Sequence, residues 1–230
     1  MAEPLLETIE IETGKNPGAC IIWMHGLGAD GNDFVPIVRE LDLRGLRPIR
    51  FVFPHAPLRP VTINNGHVMR AWYDVSYGDL EGRSRQPDEA GVRASAKAID
   101  ALIARETARG IATENMILAG FSQGGAIALH TGLRHTARLA GIMALSTYLP
   151  LAESLAQEAA PINARTPIFM VHGTEDPVVP HAMGSGSRDF LRQMGYDVEW
   201  HEYAMPHSVS LEEIEDIAAW LRRTLGAPAP

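Results

Sequence analysis

A single α/β domain built on a mostly parallel sheet is the fold class this sequence predicts, on three observations. Short apolar runs recur along the chain and stop at glycine, proline or serine, the pattern of strands buried on both faces. Longer amphipathic segments separate them, with apolar residues returning at helical spacing. The length of 230 residues fits one large domain at about 150 residues per domain. A content of 46% hydrophobic and 21% charged residues supplies a packed core. Alternating strands and helices of this kind call for right-handed crossovers.

The elements follow in order. Leu6 to Ile11 is expected to pair at a sheet edge. Ala19 to Met24 is the first fully apolar run and ends at His25-Gly26; Ile49 to Phe53 is the next and ends at Pro54. Pro54 to Asp74, with Pro54, Pro57, Pro60 and an Asn64-Asn65-Gly66 turn signal, reads as a long irregular loop. Val75 to Pro87 is polar and without periodicity, and both stretches are expected to wall or cover a pocket. From Asp88 to Arg109, Val92, Ile99, Leu102 and Ile103 define one face of a helix. Met116 to Ala119 is a strand leading into Gly120, followed by a helical stretch containing Ile127, Leu129 and Leu133. Ala140 to Leu145 and Pro167 to Val171 are further buried strands, and the more mixed Val198 to Tyr203 lies nearer the edge. In the last helix, Ser210 and Glu213 form a capping box, and Leu211, Ile214, Ile217, Leu221 and Leu225 form the apolar stripe. No repeat, low-complexity tract or linker divides the chain, so one domain over 1–230 is expected, with 225–230 fraying at its end.

Composition excludes several classes. There are 28 acidic and 20 basic residues, a net charge of −8, and no basic block, which argues against nucleic-acid binding or an anionic-membrane anchor. No apolar stretch approaches the roughly 18 residues of a membrane span, and the acidic start, Met1 to Glu7, does not look like a signal peptide. The single cysteine, Cys20, rules out an internal disulfide and a cysteine-rich zinc site. A cytoplasmic protein is expected.

Chemistry concentrates at Gly120-Phe121-Ser122-Gln123-Gly124-Gly125, a G-x-S-x-G pattern between a strand and a helix. A tight strand-to-helix turn there projects the Ser122 hydroxyl outwards, flanking glycines let neighbouring chain approach, and the helix start favours an oxyanion. A serine hydroxyl needs a general base oriented by a carboxylate. Hydrolases with this elbow follow the order Ser, acid, His. Glu175 and Asp176 stand in the turn after the Pro167 run; Asp176 is favoured because Pro177 fixes its geometry. His207 follows the Val198 strand and is the candidate base. All these loops leave the C-terminal ends of strands, which share one rim of an open parallel sheet. Of the other histidines, His201 and His130 sit inside regular elements, His135 and His181 read as surface residues, His55 and His67 belong to the long loop, and His172 is placed to support the acid turn. The oxyanion donors are assigned to the backbone N–H of Gln123 and, in the glycine-rich loop His25 to Gly31, of Leu27. This loop lacks the Gly-Lys-Ser/Thr ending of a phosphate-binding loop.

With these residues in place, a resemblance becomes specific. Met24-His25-Gly26-Leu27-Gly28, Phe53-Pro54-His55-Ala56-Pro57, Ala71-Trp72-Tyr73-Asp74, the Ser122 elbow, Ser146 to Leu151, His172 to Pro180 and His207-Ser208 resemble, in order, the phospholipase/carboxylesterase family. That family holds bacterial carboxylesterases and acyl-protein thioesterases. The resemblance implies an α/β-hydrolase fold without a large cap domain, a Ser122–His207–Asp176 triad, and oxyanion donors at Leu27 and Gln123. The Val75–Pro87 loop is longer than in the eukaryotic thioesterases, and Tyr148 stands where those often carry Trp. The expected activity is hydrolysis of carboxylic esters, or thioesters, through an acyl-enzyme. The alternatives are lysophospholipase or acyl-protein thioesterase as the biological role, or a non-catalytic hydrolase-fold binding protein. Trp72, Phe121 and Leu27 are the candidate walls of the acyl pocket. The chemistry requires no metal or organic cofactor, the partner is a small ester or acyl substrate, and the resemblance alone allows a homodimer.

Overall fold

The structure is a computed structural model that describes residues 5–80 and 87–226. The strands are β1 (Thr8–Glu12), β2 (Ala19–Met24), β3 (Ile49–Pro54), β4 (Leu58–Val61), β5 (His67–Arg70), β6 (Met116–Phe121), β7 (Gly141–Leu145), β8 (Ile168–Gly173) and β9 (Val198–Tyr203). The helices are α1 (Ile37–Glu40), α2 (Tyr77–Leu80), α3 (Glu89–Ala108), α4 (Gln123–Arg134), α5 (Ala152–Glu158), α6 (His181–Gln193) and α7 (Leu211–Leu225). Seven strands form the main sheet in the order β1-β3-β2-β6-β7-β8-β9. All neighbours pair in parallel except β1, which lies antiparallel on β3.

The uniformly apolar runs are buried from end to end because both faces of the sheet are covered. Successive residues of β2 feed opposite cores, as the two-residue period of a strand requires. Cys20, Ile22 and Met24 join Ile99 and Ile103 of α3 and Ile127 and Leu129 of α4 on one face. Ile21 and Trp23 join Ile217, Trp220 and Leu221 of α7 on the other. Cys20 is fully buried in the middle of this sheet; burial, with Glu106 nearby, pushes its thiol far up from the usual range.

Three expectations change. The Pro54–Asp74 stretch contains an antiparallel hairpin, β4 with β5, closed through Asn65 and Gly66, both at positive φ. Pro60 sits in a two-stranded ribbon where a missing N–H is tolerated. The capping box forms by half: Ser210 Oγ accepts the Glu213 N–H (3.1 Å), but the Glu213 side chain turns inward, and its two oxygens have no hydrogen-bond partner among the described residues. Leu225 is the buried last residue of α7 and not part of a tail, while 227–230 lie outside the described residues. The Val75–Pro87 loop lies partly outside them as well; its described start includes α2.

Candidate active site

Ser122 stands between β6 and α4 with φ 54° and ψ −120°, a conformation that a non-glycine residue rarely adopts. The neighbours make the turn possible by having no side chains. A Cβ on Gly120 would fall on the backbone of Gly124, one on Gly124 would fall on the carbonyls of Met24 and His25, and one on Gly125 would meet Thr147 at 2.8 Å. The backbone is pinned on both sides. Ser122 N–H donates to Leu145 O (2.8 Å), and Ser122 O accepts from Ala126 N–H (3.1 Å) and the Thr147 hydroxyl (2.7 Å).

Asp176 and His207 come together from the ends of β8 and β9. His207 Nδ1–H donates to Asp176 Oδ2 at 2.6 Å, because a carboxylate can only accept, and this leaves Nε2 with its lone pair. The other carboxylate oxygen accepts the N–H groups of Val178 (2.8 Å) and Val179 (2.9 Å). Burial pushes the Asp176 carboxyl up, but these hydrogen bonds, that from His207 foremost, outweigh it and hold the acid below its usual range. Asp176 is buried, whereas Glu175 is exposed. The His207 ring lies 4.6 Å from the ring of Phe121, the residue before Ser122. Among the described residues the Ser122 hydroxyl makes no hydrogen bond to His207; such contacts commonly tighten only when substrate is bound.

The loop after β2 runs beside the elbow, since β2 pairs with β6 and Met24 lies opposite Gly120. Its shape is set by His25, which donates from Nδ1 to Gly26 O (2.7 Å) and accepts the Ala56 N–H at Nε2 (3.1 Å). Burial lowers the His25 pKa, in keeping with a neutral ring that both donates and accepts. Beyond it, Gly28 adopts φ 78° and donates to Arg70 O at 2.9 Å. Between these two anchors the Leu27 N–H, like the Gln123 N–H at the start of α4, has no hydrogen-bond partner among the described residues. Both residues line one cavity with Ser122.

A cavity of about 190 Å³ opens on Ser122, lined by Leu27, Ile63, Asn64, Tyr73, Val75, Gln123, Tyr148, Val178 and Val179. Of the three candidate walls, Leu27 lines it and the other two stand behind. Trp72 is fully buried, its indole N–H donating to His25 O (2.9 Å). Phe121 packs between Phe34 (5.6 Å) and His207. Ile63, Asn64, Tyr73 and Val75 come from the two irregular stretches expected to wall a pocket, and Gln123 was already a candidate site residue; the sequence missed Tyr148, Val178 and Val179 as walls, for which proximity to the acid turn was the available signal in the two valines. It also missed the Gln123 side chain, which accepts the Trp72 N–H (2.7 Å) and donates to Tyr73 O (2.7 Å), clamping that stretch to the elbow. His172 is buried as its place beside the acid turn suggested; its Nε2 donates to Val179 O (2.8 Å) and lies 3.5 Å from Asp176 Oδ2.

Comparison with known proteins agrees with this arrangement. Acyl-protein thioesterase 1 of Neurospora crassa is 42% identical over 214 residues, covering 90% of this chain and 87% of the relative. Acyl-protein thioesterase 1 of Gibberella zeae is 39% identical over 213 residues, 90% and 91% of the two chains. The crystal structure of Arabidopsis thaliana SOBER1 superposes with a TM-score of 0.85 at 36% identity, covering 90% of this chain and 99% of that one. The fold is therefore that of the α/β hydrolases. With the phospholipase/carboxylesterase family profile matching residues 6–225, from the edge strand to the end of the last helix, the chain belongs to that family.

Proposed function

We propose that this protein is a serine hydrolase of carboxylic esters that works through an acyl-enzyme, with Ser122 as nucleophile, His207 as general base and Asp176 as the carboxylate that orients it. Family membership supports the reaction class. The observation that carries the residue assignment is the His207–Asp176 hydrogen bond on the same rim as a strained, outward-facing Ser122. In the first half-reaction Ser122 Oγ bonds to the acyl carbon while His207 Nε2 takes its proton. The N–H groups of Leu27 and Gln123 hold the oxyanion, a service worth about 10²–10³ in rate per donor. Collapse breaks the acyl–oxygen bond, and His207 gives the proton to the departing alcohol. Water then attacks the acyl-enzyme, His207 removing its proton, and the acid leaves with Ser122 restored. Asp176 stabilises the imidazolium throughout and does not itself take the proton.

Thioesters are the second substrate class, favoured by the thioesterase relatives and by chemistry, since a thiolate leaves with less help than an alkoxide. A homodimer goes with this reading on the family resemblance alone, and light scattering tests it. A cytoplasmic location goes with this reading on composition, and cell fractionation tests it. The assignment itself is tested with p-nitrophenyl butyrate and a fluorophosphonate probe. Ser122→Ala is expected to lose about 10⁴-fold or more in kcat/KM and all labelling, with the melting temperature kept. Turnover near the wild-type rate in that variant would overturn it.

A further inference from the structure

Two tyrosines stand side by side in the lining of the cavity that opens on Ser122. Tyr73 Oη and Tyr148 Oη are 2.9 Å apart, one donating to the other. Tyr73 is 4% exposed and belongs to the stretch that the Gln123 side chain clamps, so its ring is not free to swing aside. Burial raises the pKa of both phenols, Tyr148 to about 12, so both stay neutral and the hydrogen bond persists across the working pH range. Parting them would cost both hydroxyls that hydrogen bond.

The pair also borders space outside that cavity. Tyr73 and Tyr148 also line a second cavity, whose wall mixes the carboxylates of Asp74, Asp79, Asp88 and Glu153 with apolar residues such as Val92 and Leu151. One oxygen of Asp79 is buried there without a hydrogen-bond partner among the described residues. Tyr148, which lines the cavity at Ser122, also borders an apolar groove with Leu149, Met183 and Phe190.

Resting on the Ser122 hydrolase reading above, we infer that the Tyr73–Tyr148 pair is the end wall of the acyl site and restricts this enzyme to short acyl chains. The volume sets the limit. A cavity of about 150 Å³ holds a benzene molecule, so about 190 Å³ takes an acyl group of roughly six carbons. A fatty acyl chain of twelve carbons or more does not fit without displacing Tyr148. The thioesterase relatives share the reaction, but the acyl group accepted here is set by this wall.

The test is kcat/KM for p-nitrophenyl esters from acetate to laurate, each below its critical micelle concentration, in the wild type, Tyr148→Ala and Tyr148→Val. The wild type is expected to peak at four to six carbons and to fall at least tenfold by laurate. Removing the ring joins the cavity to the apolar groove, so both variants should raise the laurate-to-butyrate ratio at least tenfold. Fluorophosphonate labelling of Ser122 reports whether each variant retains a formed site, and Tyr148→Val keeps more of the packing should the alanine variant fail to fold. Wild-type turnover of laurate equal to that of butyrate, or a ratio that neither labelled variant moves, would overturn the inference and leave the hydrolase reading standing. Absence of turnover for every ester would instead sink the hydrolase reading itself.

Discussion

At Ser122 the proposed nucleophile and a strained backbone share the same few atoms. Asn16, Asn65, Ser122, Ser146 and Leu151 are the non-glycine residues with positive φ among those described. Asparagine tolerates that region, but Ser122 and Ser146 follow the ends of β6 and β7 on the catalytic rim, where strain is characteristic of functional positions. The strain comes from Cβ. Ser122→Ala keeps that atom and Ser122→Gly removes it, so the glycine variant should be the more stable of the two, by about 1 kcal/mol in urea unfolding. Equal stability would mean that the surrounding hydrogen bonds, and not sterics, set the turn. Legibility at this scale was uneven. Gly120, Ser122 and Gly124 announce the elbow in sequence because the turn forbids other residues. Nothing announces the Gln123 clamp, since its partners Trp72 N–H and Tyr73 O are backbone groups any residue could supply.

At the scale of the element, α7 shows how local and tertiary preferences part company. Ser210 caps the helix as its spacing foretells, but Glu213 is drawn into the interior, where burial raises its carboxyl from the ordinary 4.5 to about 8. An acid whose folded pKa is raised contributes stability that is whole below about pH 4.5 and is lost as pH climbs through about 8. The slope is about 1.4 kcal/mol per unit across that window. Glu213→Gln should therefore flatten the dependence of unfolding free energy on pH between 5 and 8 and be the more stable protein at pH 8. Denaturant titrations at several pH values would show it, and an unchanged slope would exclude a buried neutral carboxyl. The strands were readable because burial on both faces leaves an uninterrupted apolar signature. The helix α6 was not, since Gly184 and Gly186 interrupt it and only Gly184 and Leu191 are buried along it. The β4–β5 hairpin was hidden by Pro60 and by the exposed Leu58 and Val68, which spoil any inward-facing alternation.

Across the whole molecule, segments as distant as Leu27 and His207 meet because the parallel strands deliver their C-terminal ends to one rim. This is why the candidate order Ser122, Asp176, His207 is legible in the sequence; the two irregular stretches were legible as walls too, whereas the particular side chains that line the cavity were not. The opposite margin of the sheet is tied by charge. Buried Glu106 of α3 binds Arg50 of β3 (2.7 Å), Arg105 (2.9 Å) and Arg109 (2.8 Å), while Arg105 and Arg109 also reach Glu10 of β1. Removing the buried member strands the arginines, so Glu106→Ala should cost about 3–5 kcal/mol of stability. A loss under about 1 kcal/mol in thermal or urea unfolding would show that the cluster is solvated rather than structural. A last consequence concerns Cys20, the chain's single sulfhydryl, sealed within β2 and held protonated. Reagents such as Ellman's disulfide require an accessible thiolate. The colour they develop during thioester cleavage therefore reports released product alone, and oxidants or alkylating agents that silence cysteine hydrolases should leave this catalyst running.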